Sequence, residues 1–180
     1  MQVTLAYVMS ANGRITKGDD PNVHDWSSDE DSRHFIDLRD NADVVVVDRT
    51  TYELMQLEPE AGRLRVVMTH HPEEYASKAV PGQLEFTSEP ASELIKRLAD
   101  TGKQRLLVAG GRHVSAEFLA DNVVDDLYLT YEPILFSQGN IMLADETWLE
   151  VPLRLQSVKQ LNERGTLLAH YIVDRGKSVA

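Results

Sequence analysis

Residues 43–53 read DVVVVDRTTYE, and this stretch decides the fold class of the 180-residue chain. Its four consecutive valines form a short, apolar, β-branched run, which is typical of a strand buried on both faces. A short helix is predicted directly after it, over residues 51–57, with Thr50 or Thr51 as its N-cap. A strand buried on both faces needs helices on either side of its sheet, so the stretch predicts an α/β protein.

The same alternation of apolar strands and amphipathic helices extends outward from this stretch. Further strands are predicted over residues 2–8, 65–69, 83–87, 105–109 and 126–131, and helices over residues 29–41, 73–78, 91–100 and 113–122. Ser27 and Glu30 have capping-box spacing at the start of the first helix. Residues 153–173 alternate polar and apolar, which predicts two antiparallel strands joined by a turn at residues 162–165. We therefore expect a single domain over residues 1–180, with a central, mixed, mostly parallel sheet, flanking helices and a C-terminal antiparallel hairpin.

Charge and composition argue against several classes of function. The formal net charge of −11 repels nucleic-acid phosphates and anionic membranes, so neither is expected as a partner. Cysteine is absent, which excludes disulfides, thiolate zinc sites and cysteine nucleophiles. The sequence has no apolar run that could span a membrane and no signal-peptide pattern over residues 1–10, so a cytoplasmic protein is expected. No metal site is expected at His70 and His71, because adjacent side chains on an extended chain point in opposite directions.

Three segments that follow predicted strands are candidates for ligand binding, because open α/β sheets bind ligands at the carboxyl ends of their strands. At residues 108–113, VAGGRH, two glycines let a phosphate or a flat ring approach the start of a helix. At residues 48–53, free N–H groups of the helix and Arg49 are candidates for gripping a phosphate. At residues 10–15, SANGRI, an Asn-Gly turn lies over the same edge. Each segment is open to a plainer interpretation, as a tight turn or a simple helix cap.

Four segments carry, in the same order, the motifs of one known family. Residues 9–15, MSANGRI, resemble M-S-x-D-G-x-I, and residues 109–111, AGG, resemble an E-G-G turn. Trp26, followed by a helix ending in Leu38-Arg39 and by residues 43–47, resembles W-x-S…L-R…D-A-x-x-V. Residues 124–139, which begin VDDLYL, resemble V-D-E-L-x-L…P…G. The set resembles the dihydrofolate reductase superfamily and, within it, the reductase domain of riboflavin biosynthesis, the C-terminal half of the bifunctional deaminase-reductase.

This resemblance implies a dihydrofolate reductase-like fold, a homodimer and an NADPH-dependent reductase acting on a small heterocycle, 5-amino-6-(5-phosphoribosylamino)uracil in the riboflavin case. It places the substrate at Asn12 and Arg39, with Arg39 holding the substrate phosphate. NADPH is expected rather than NADH because Arg49 is suited to the 2′-phosphate. The full set of cofactor-binding candidates is Trp26, Arg49, Thr51, Gly110, Gly111, Arg112, His113 and Val114. For Trp26 the plainer alternative is core packing, and for Arg39 it is an exposed helix position.

Three positions depart from the family motifs. Asn12 stands where the family has aspartate, Ala109 where it has glutamate and Asp48 where it has glycine. The change at Ala109 removes a carboxylate that would accept from substrate N–H groups, and Asp48 adds an anion near the expected phosphates. These departures motivate one alternative, a non-catalytic binding or dimerisation module that retains the fold.

A second alternative within the superfamily is a dihydrofolate or pterin reductase. Residues 49–53, RTTYE, resemble the G-R-x-T-[WY]-E motif of those enzymes, and Arg63 resembles their folate-carboxylate arginine. Asp31 lies five residues after Trp26, the spacing of the acid that helps to protonate the pterin, and is the only catalytic candidate. It is also one of three acids in a first helical turn, where the helix dipole alone favours them.

Overall fold

The computed structural model describes residues 1–143 and 149–175, and within them it forms one eight-stranded sheet. The strands are β1 (Gln2–Ser10), β2 (Val44–Asp48), β3 (Leu64–Met68), β4 (Leu84–Thr87), β5 (Arg105–Val108), β6 (Asp126–Glu132), β7 (Leu153–Gln160) and β8 (Leu167–Val173). The helices are α1 (Asp29–Asp40), α2 (Arg49–Met55), α3 (Ala91–Asp100) and α4 (Arg112–Ala120), with 3-10 turns at Val23–Asp25 and Pro72–Lys78. None of the helices in these two ranges is long and apolar enough to cross a bilayer.

The strand order is β4-β3-β2-β5-β1-β6-β8-β7, and the expected α/β class is confirmed. The six strands from β4 to β6 are parallel, because each is joined to the next along the chain by a crossover. β8 pairs antiparallel with β6, and β7 pairs antiparallel with β8 as the predicted terminal hairpin. The predicted strands and helices all appear, with ends displaced by at most two residues, and the helix predicted over residues 73–78 is a 3-10 helix.

The valine strand is buried from both sides, as its sequence predicts. Val44 and Val46 pack into one core with the apolar faces of α3 and α4. Val45 and Val47 pack into a second core with the apolar face of α1 and with Tyr52 of α2. The alternation of side chains along β2 therefore divides its four valines between the two faces of the sheet.

Two predicted helix caps are wrong by one to three residues. Ser28, not Ser27, caps α1, and its Oγ accepts the Asp31 N–H. Asp48, not Thr50 or Thr51, caps α2, and its Oδ1 accepts the Thr51 N–H at 2.7 Å. In both cases α-helical geometry begins directly after a polar residue in extended conformation, and that residue satisfies the N3 donor.

The order of crossovers creates a crevice between β1 and β5. The chain leaves β1 through α1 toward β2, and it leaves β5 through α4 toward β6, in the opposite direction along the sheet. Since parallel crossovers are right-handed, α1 and α4 lie on opposite faces, in agreement with the two cores. Connections that leave neighbouring strands in opposite directions mark a switch point in the sheet, and open α/β sheets bind ligands at the carboxyl ends of the strands there.

Phe118 anchors α4 to the sheet, and we expect Phe118→Ala to lower the free energy of unfolding by about 3 to 5 kcal/mol, because the side chain is fully buried. Denaturant unfolding followed by circular dichroism measures this loss. Leu54→Ala on α2 is the control; its side chain is 50% exposed, and we expect a change within about 0.5 kcal/mol. Equal losses in the two variants would contradict the assigned packing.

Candidate active site

The double glycine lies on the β5 side of the crevice and starts α4. Gly110 has a φ of +115°, a conformation that side chains rarely adopt, and its peptide bond to Gly111 is cis. A Cβ at Gly111 would collide with the carboxylate of Asp48. Gly111 is the N-cap of α4, and no side chain of residues 1–143 and 149–175 makes the capping hydrogen bond. Both glycine positions are therefore closed to larger residues, and the positive end of the α4 dipole lies at this turn.

Two buried hydroxyls support this turn from below. Ser115 Oγ donates to the Gly111 carbonyl at 3.1 Å, so the hydroxyl of Tyr7 is left to donate to Ser115 Oγ at 2.8 Å. Ser115 is fully buried. Burial also raises the pKa of Tyr7, which keeps its hydroxyl protonated as a donor. The relay ties the Gly-Gly turn to β1, the other wall of the crevice.

The segment after β2 lies against the Gly-Gly turn. Asp48 receives the Thr51 N–H and donates its own N–H to the Gly110 carbonyl at 3.1 Å. Thr51 Oγ1 lies 3.8 Å from the position that a Cβ on Gly110 would take. Arg49 is exposed and pairs with Glu53 at 2.7 Å. The carboxylate of Asp48 is thus occupied in capping α2, where the helix dipole compensates its charge.

The loop after β1 is fixed to the segment that follows β6. The side-chain amide of Asn12 makes two bonds to the backbone of Phe136, donating to its carbonyl at 2.8 Å and accepting from its N–H at 3.1 Å. The ring of Phe136 meets the Trp26 indole edge to face, with centroids 5.2 Å apart. Trp26 is buried, and its Nε1 has no hydrogen-bond partner among the described residues.

Asp31 is a buried carboxyl group at the start of α1. Burial, together with the nearby negative charge of Glu132, raises its pKa from 3.8 to about 6, although a hydrogen bond from Thr130 and the charge of His24 act in the opposite direction. Thr130 lies near the carboxyl end of β6, two strands from β5. Two strand spacings of about 4.8 Å separate β6 from β5, so the strand under Asp31 lies about 10 Å from the strand that leads into the Gly-Gly turn.

Comparison with known proteins agrees with this architecture. The RibD C-terminal domain family matches residues 1–167. The chain belongs to this family. It is also 28% identical over 177 residues to the uncharacterised protein YwjB of Bacillus subtilis (strain 168), covering 94% of this chain and 97% of YwjB.

Two solved structures confirm the expected dihydrofolate reductase-like fold. A putative riboflavin biosynthesis protein from Shewanella sp. PV-4 superposes with a TM-score of 0.77 at 17% identity, covering 97% of this chain and all of the other. The dihydrofolate reductase of Enterococcus faecalis, complexed with NADP(H), superposes with a TM-score of 0.64 at 20% identity, covering 96% of each chain.

The structure brings most of the predicted site residues to one edge of the sheet. Trp26, Arg49, Thr51, Asn12, Asp31 and the first turn of α4 all follow carboxyl ends of parallel strands. In that first turn Arg112 and His113 reach the surface, whereas the side chain of Val114 is 4% exposed and packs in the core, so only its backbone is available to a ligand. No group of three or more metal-ligating side chains occurs in residues 1–143 and 149–175.

Arg39 is not brought to this edge. It lies at the end of α1, beside the amino end of β2, and its guanidinium pairs with Asp40 at 3.1 Å. Arg63, the other arginine considered for substrate, pairs with the same carboxylate at 3.3 Å. In a parallel sheet, a connecting helix starts near the carboxyl end of one strand and ends near the amino end of the next. Asp31 is in the first turn of α1 and Arg39 in its last, so the length of the helix separates them.

Sequence reasoning missed the polar residues under Asp31. Thr130 and Glu132 alternate with Leu129 and Tyr131 along β6 and are each 2% exposed. A signal was present in the sequence, because polar residues at a period of two within an apolar strand mark one shared face. The partner helix on that face was not apparent from the sequence.

We expect Asp31→Asn to stabilise the protein at pH 8 but not at pH 4. A raised folded-state pKa means that the stabilising contribution of the Asp31 carboxyl is complete below 3.8 and is lost as pH rises through about 6. The difference in free energy of unfolding between variant and parent should grow by about 2 to 3 kcal/mol between pH 4 and pH 8.

Denaturant unfolding across this pH range measures the effect. Asp29→Asn, an exposed acid in the same helical turn, is the matched control, and its difference from the parent should vary by well under 1 kcal/mol. A flat pH response for Asp31→Asn would show that Asp31 titrates normally.

Proposed function

We propose that this chain is an NADPH-dependent reductase of a small nitrogen heterocycle. The observation that carries the proposal is a buried, protonatable carboxyl, Asp31, at the same edge of the sheet as the glycine-lined N-terminus of α4. A reductase of this kind needs an anion site for its dinucleotide and a hydrogen-bonding group for the heterocycle of its substrate. Membership of the RibD C-terminal domain family supports the same type of activity.

The residues on the β5 side fit a dinucleotide phosphate. The first turn of α4 offers backbone donors next to two glycines, and Arg112 and Arg49 bring positive charge to a protein with a net charge of −11. Asp48 does not oppose this role, because its carboxylate caps α2. NADPH would supply the hydride, and the fluorescence of the nearby Trp26 would report its binding.

The residues on the β6 side fit a polar heterocycle. Ala109 lacks the carboxylate that the family motif carries after β5, but Asp31 provides one two strands away. A carboxyl with a pKa of about 6 can donate a proton to a ring nitrogen or accept from ring and exocyclic N–H groups near neutral pH. The buried rings of Trp26 and Phe136 would exclude water from this side.

Two substrate classes follow, and they are ordered by the strength of their support. A phosphorylated ribosylamino-pyrimidine comes first, because the family and the Shewanella relative belong to riboflavin biosynthesis by name. A dihydropterin comes second, supported by Asp31 with its Thr130 bond and by the similarity to a dihydrofolate reductase. In either case Asp31 would hold the heterocycle and supply the proton that is taken up with the hydride, which goes to the ring of a dihydropterin and to ribose C1′ of a ribosylamino-pyrimidine.

The first experiment is titration of the protein with NADPH and NADH, followed by NADPH oxidation with each substrate class. We expect micromolar NADPH binding, weaker NADH binding and turnover of one class. Binding of neither cofactor by folded protein would overturn the proposal and leave the alternative of a non-catalytic module.

Arg49→Ala should weaken NADPH binding about tenfold or more and NADH binding little, because a charge-assisted contact to the 2′-phosphate is lost. Fluorescence titration of both cofactors measures the ratio. Arg105→Ala is the control, since Arg105 is an exposed arginine at the amino end of β5. Equal weakening of NADPH and NADH would contradict a 2′-phosphate role for Arg49.

We also propose that two copies associate through the terminal hairpin. Four apolar side chains of the hairpin are 39–55% exposed: Leu153, Leu155, Val158 and Leu167. The pairing of β7 with β8 places them on one face of the hairpin. A bulge after Leu155 adds one residue to β7, so that Val158 points to the same side as Leu155. In a dimer with two-fold symmetry the same face of each copy packs against the other, so apolar side chains contact apolar side chains. β7 is the last strand of the described sheet, so its outer edge is also available for pairing.

The double variant Leu155→Lys, Val158→Lys should convert a dimer into a monomer in light scattering at a fixed protein concentration. Leu54→Lys, which adds a charge at an equally exposed leucine on α2, should leave the mass unchanged. A monomeric parent protein would refute the dimer.

A further inference from the structure

The last residue of β6, Glu132, is a buried carboxylate that the proposed reaction leaves unused. It is 2% exposed, although a glutamate is rarely buried unless it is paired. Its partners are not cations, so the position needs an explanation other than a salt bridge.

Both oxygens of Glu132 accept hydrogen bonds from the chain. Oε1 accepts the backbone N–H of Ser28 at 2.7 Å, and Oε2 accepts the hydroxyl of Thr166 at 2.7 Å. Thr166 Oγ1 also accepts from Asn162 Nδ2 at 3.0 Å and gives its one proton to Glu132. The carboxyl group of Glu132 thus has two hydrogen-bond donors beside it and gives no hydrogen bond to an acceptor, which is the environment that suits an ionised carboxylate.

These bonds hold the helical turn that carries Asp31. Ser28 donates its N–H to Glu132, while its Oγ accepts the Asp31 N–H as the cap of α1. From the other side Asn162, in the β7–β8 turn, donates to Glu30 Oε2 at 3.0 Å. The first turn of α1 is therefore clamped between the end of β6 and the terminal hairpin.

We propose that Glu132 is a positioning residue for Asp31, fixing the first turn of α1 through Ser28 and setting a negative charge beside the Asp31 carboxyl. The inference rests on the proposed function and deepens it. It makes a second carboxylate, which takes no part in the reaction, responsible for keeping Asp31 in its proton-donating form. Glu132 itself has both oxygens occupied by the chain and makes no contact with substrate.

The charged groups that face Asp31 come from two elements. Glu132 of β6 raises the pKa of Asp31, and His24 of the first 3-10 turn lowers it; Thr130 adds a neutral hydrogen bond from β6. Burial has the largest effect and is unchanged by an isosteric substitution at Glu132. Removing the Glu132 charge should therefore move the Asp31 titration to lower pH without returning it to the ordinary value.

The test is carboxyl ¹³C NMR titration of the free protein, with Asp31→Asn to assign the signal. Glu132→Gln keeps an oxygen for Ser28 and removes the charge, and we expect the Asp31 midpoint to fall by about half a pH unit or more. Glu117→Gln is the control, because Glu117 is a half-buried carboxylate that, like Glu132, accepts a backbone N–H, that of Ala91 at 3.0 Å. An unchanged midpoint in folded Glu132→Gln, or an equal fall in Glu117→Gln, would overturn the proposal.

Amide hydrogen exchange tests positioning separately from charge. Glu132→Ala should raise the exchange rates of the Ser28 and Asp31 amides about tenfold, whereas Glu132→Gln should leave them close to the parent values. If neither variant folds, Thr166→Val removes one of the two bonds to Glu132, and faster exchange at Ser28 is again expected. Unchanged exchange in the folded variants would refute the clamp.

Neither measurement needs cofactor or substrate, so each is independent of the proposed reaction. With a substrate in hand, the pH at which kcat/KM declines should fall in Glu132→Gln by the same amount as the Asp31 midpoint. If the Asp31 midpoint falls in Glu132→Gln but the protein turns over no substrate, the positioning role of Glu132 is retained and the proposed reductase activity is rejected.

Discussion

β1 and β5 are parallel neighbours, and the helices that follow them leave in opposite directions along the sheet; the rest of the site depends on this constraint. Because parallel crossovers keep one hand, α1 must cover one face and α4 the other. Their N-termini then open on either side of a single cleft. The Gly-Gly turn, the loop after β1 and the buried acid acquire a common location from this topology, although no two of them are neighbours in sequence.

The two sides of the cleft meet opposite electrostatic requirements. On the β5 side, a protein with eleven excess negative charges would hold the phosphate of the proposed cofactor through backbone donors, two arginines and the α4 dipole, all of which act over short range. The carboxylate of Asp48 would oppose this arrangement if it were free, but its position at the N-cap of α2 gives its charge a local partner. On the β6 side, burial raises the pKa of Asp31 to about 6, so that its carboxyl holds a proton at higher pH than an exposed aspartate does.

Burying two carboxyl groups under one helical turn is unfavourable for folding, and the structure limits the cost in two ways. Glu132 receives two short hydrogen bonds, which offset the loss of its hydration, and Asp31 reduces its own penalty by retaining a proton. Such an arrangement lowers stability at neutral pH, so its presence in the cleft points to a role in chemistry rather than in folding.

The sequence by itself determined the α/β class, the buried valine strand, the order of the elements and the glycine turn, because each depends on local periodicity or on backbone conformations that only glycine adopts. It also carried the family motifs, and it placed Asp31 in the first turn of α1. Tertiary structure alone decided that Arg39 lies at the remote end of α1 and that Ser28 and Asp48, rather than their neighbours, cap the helices. It also decided that Glu132, 104 residues from Ser28, holds the turn that carries Asp31. The physical reason is that these contacts depend on the register of β6 against β1 and on the face that α1 covers, both of which arise only when distant segments pack together.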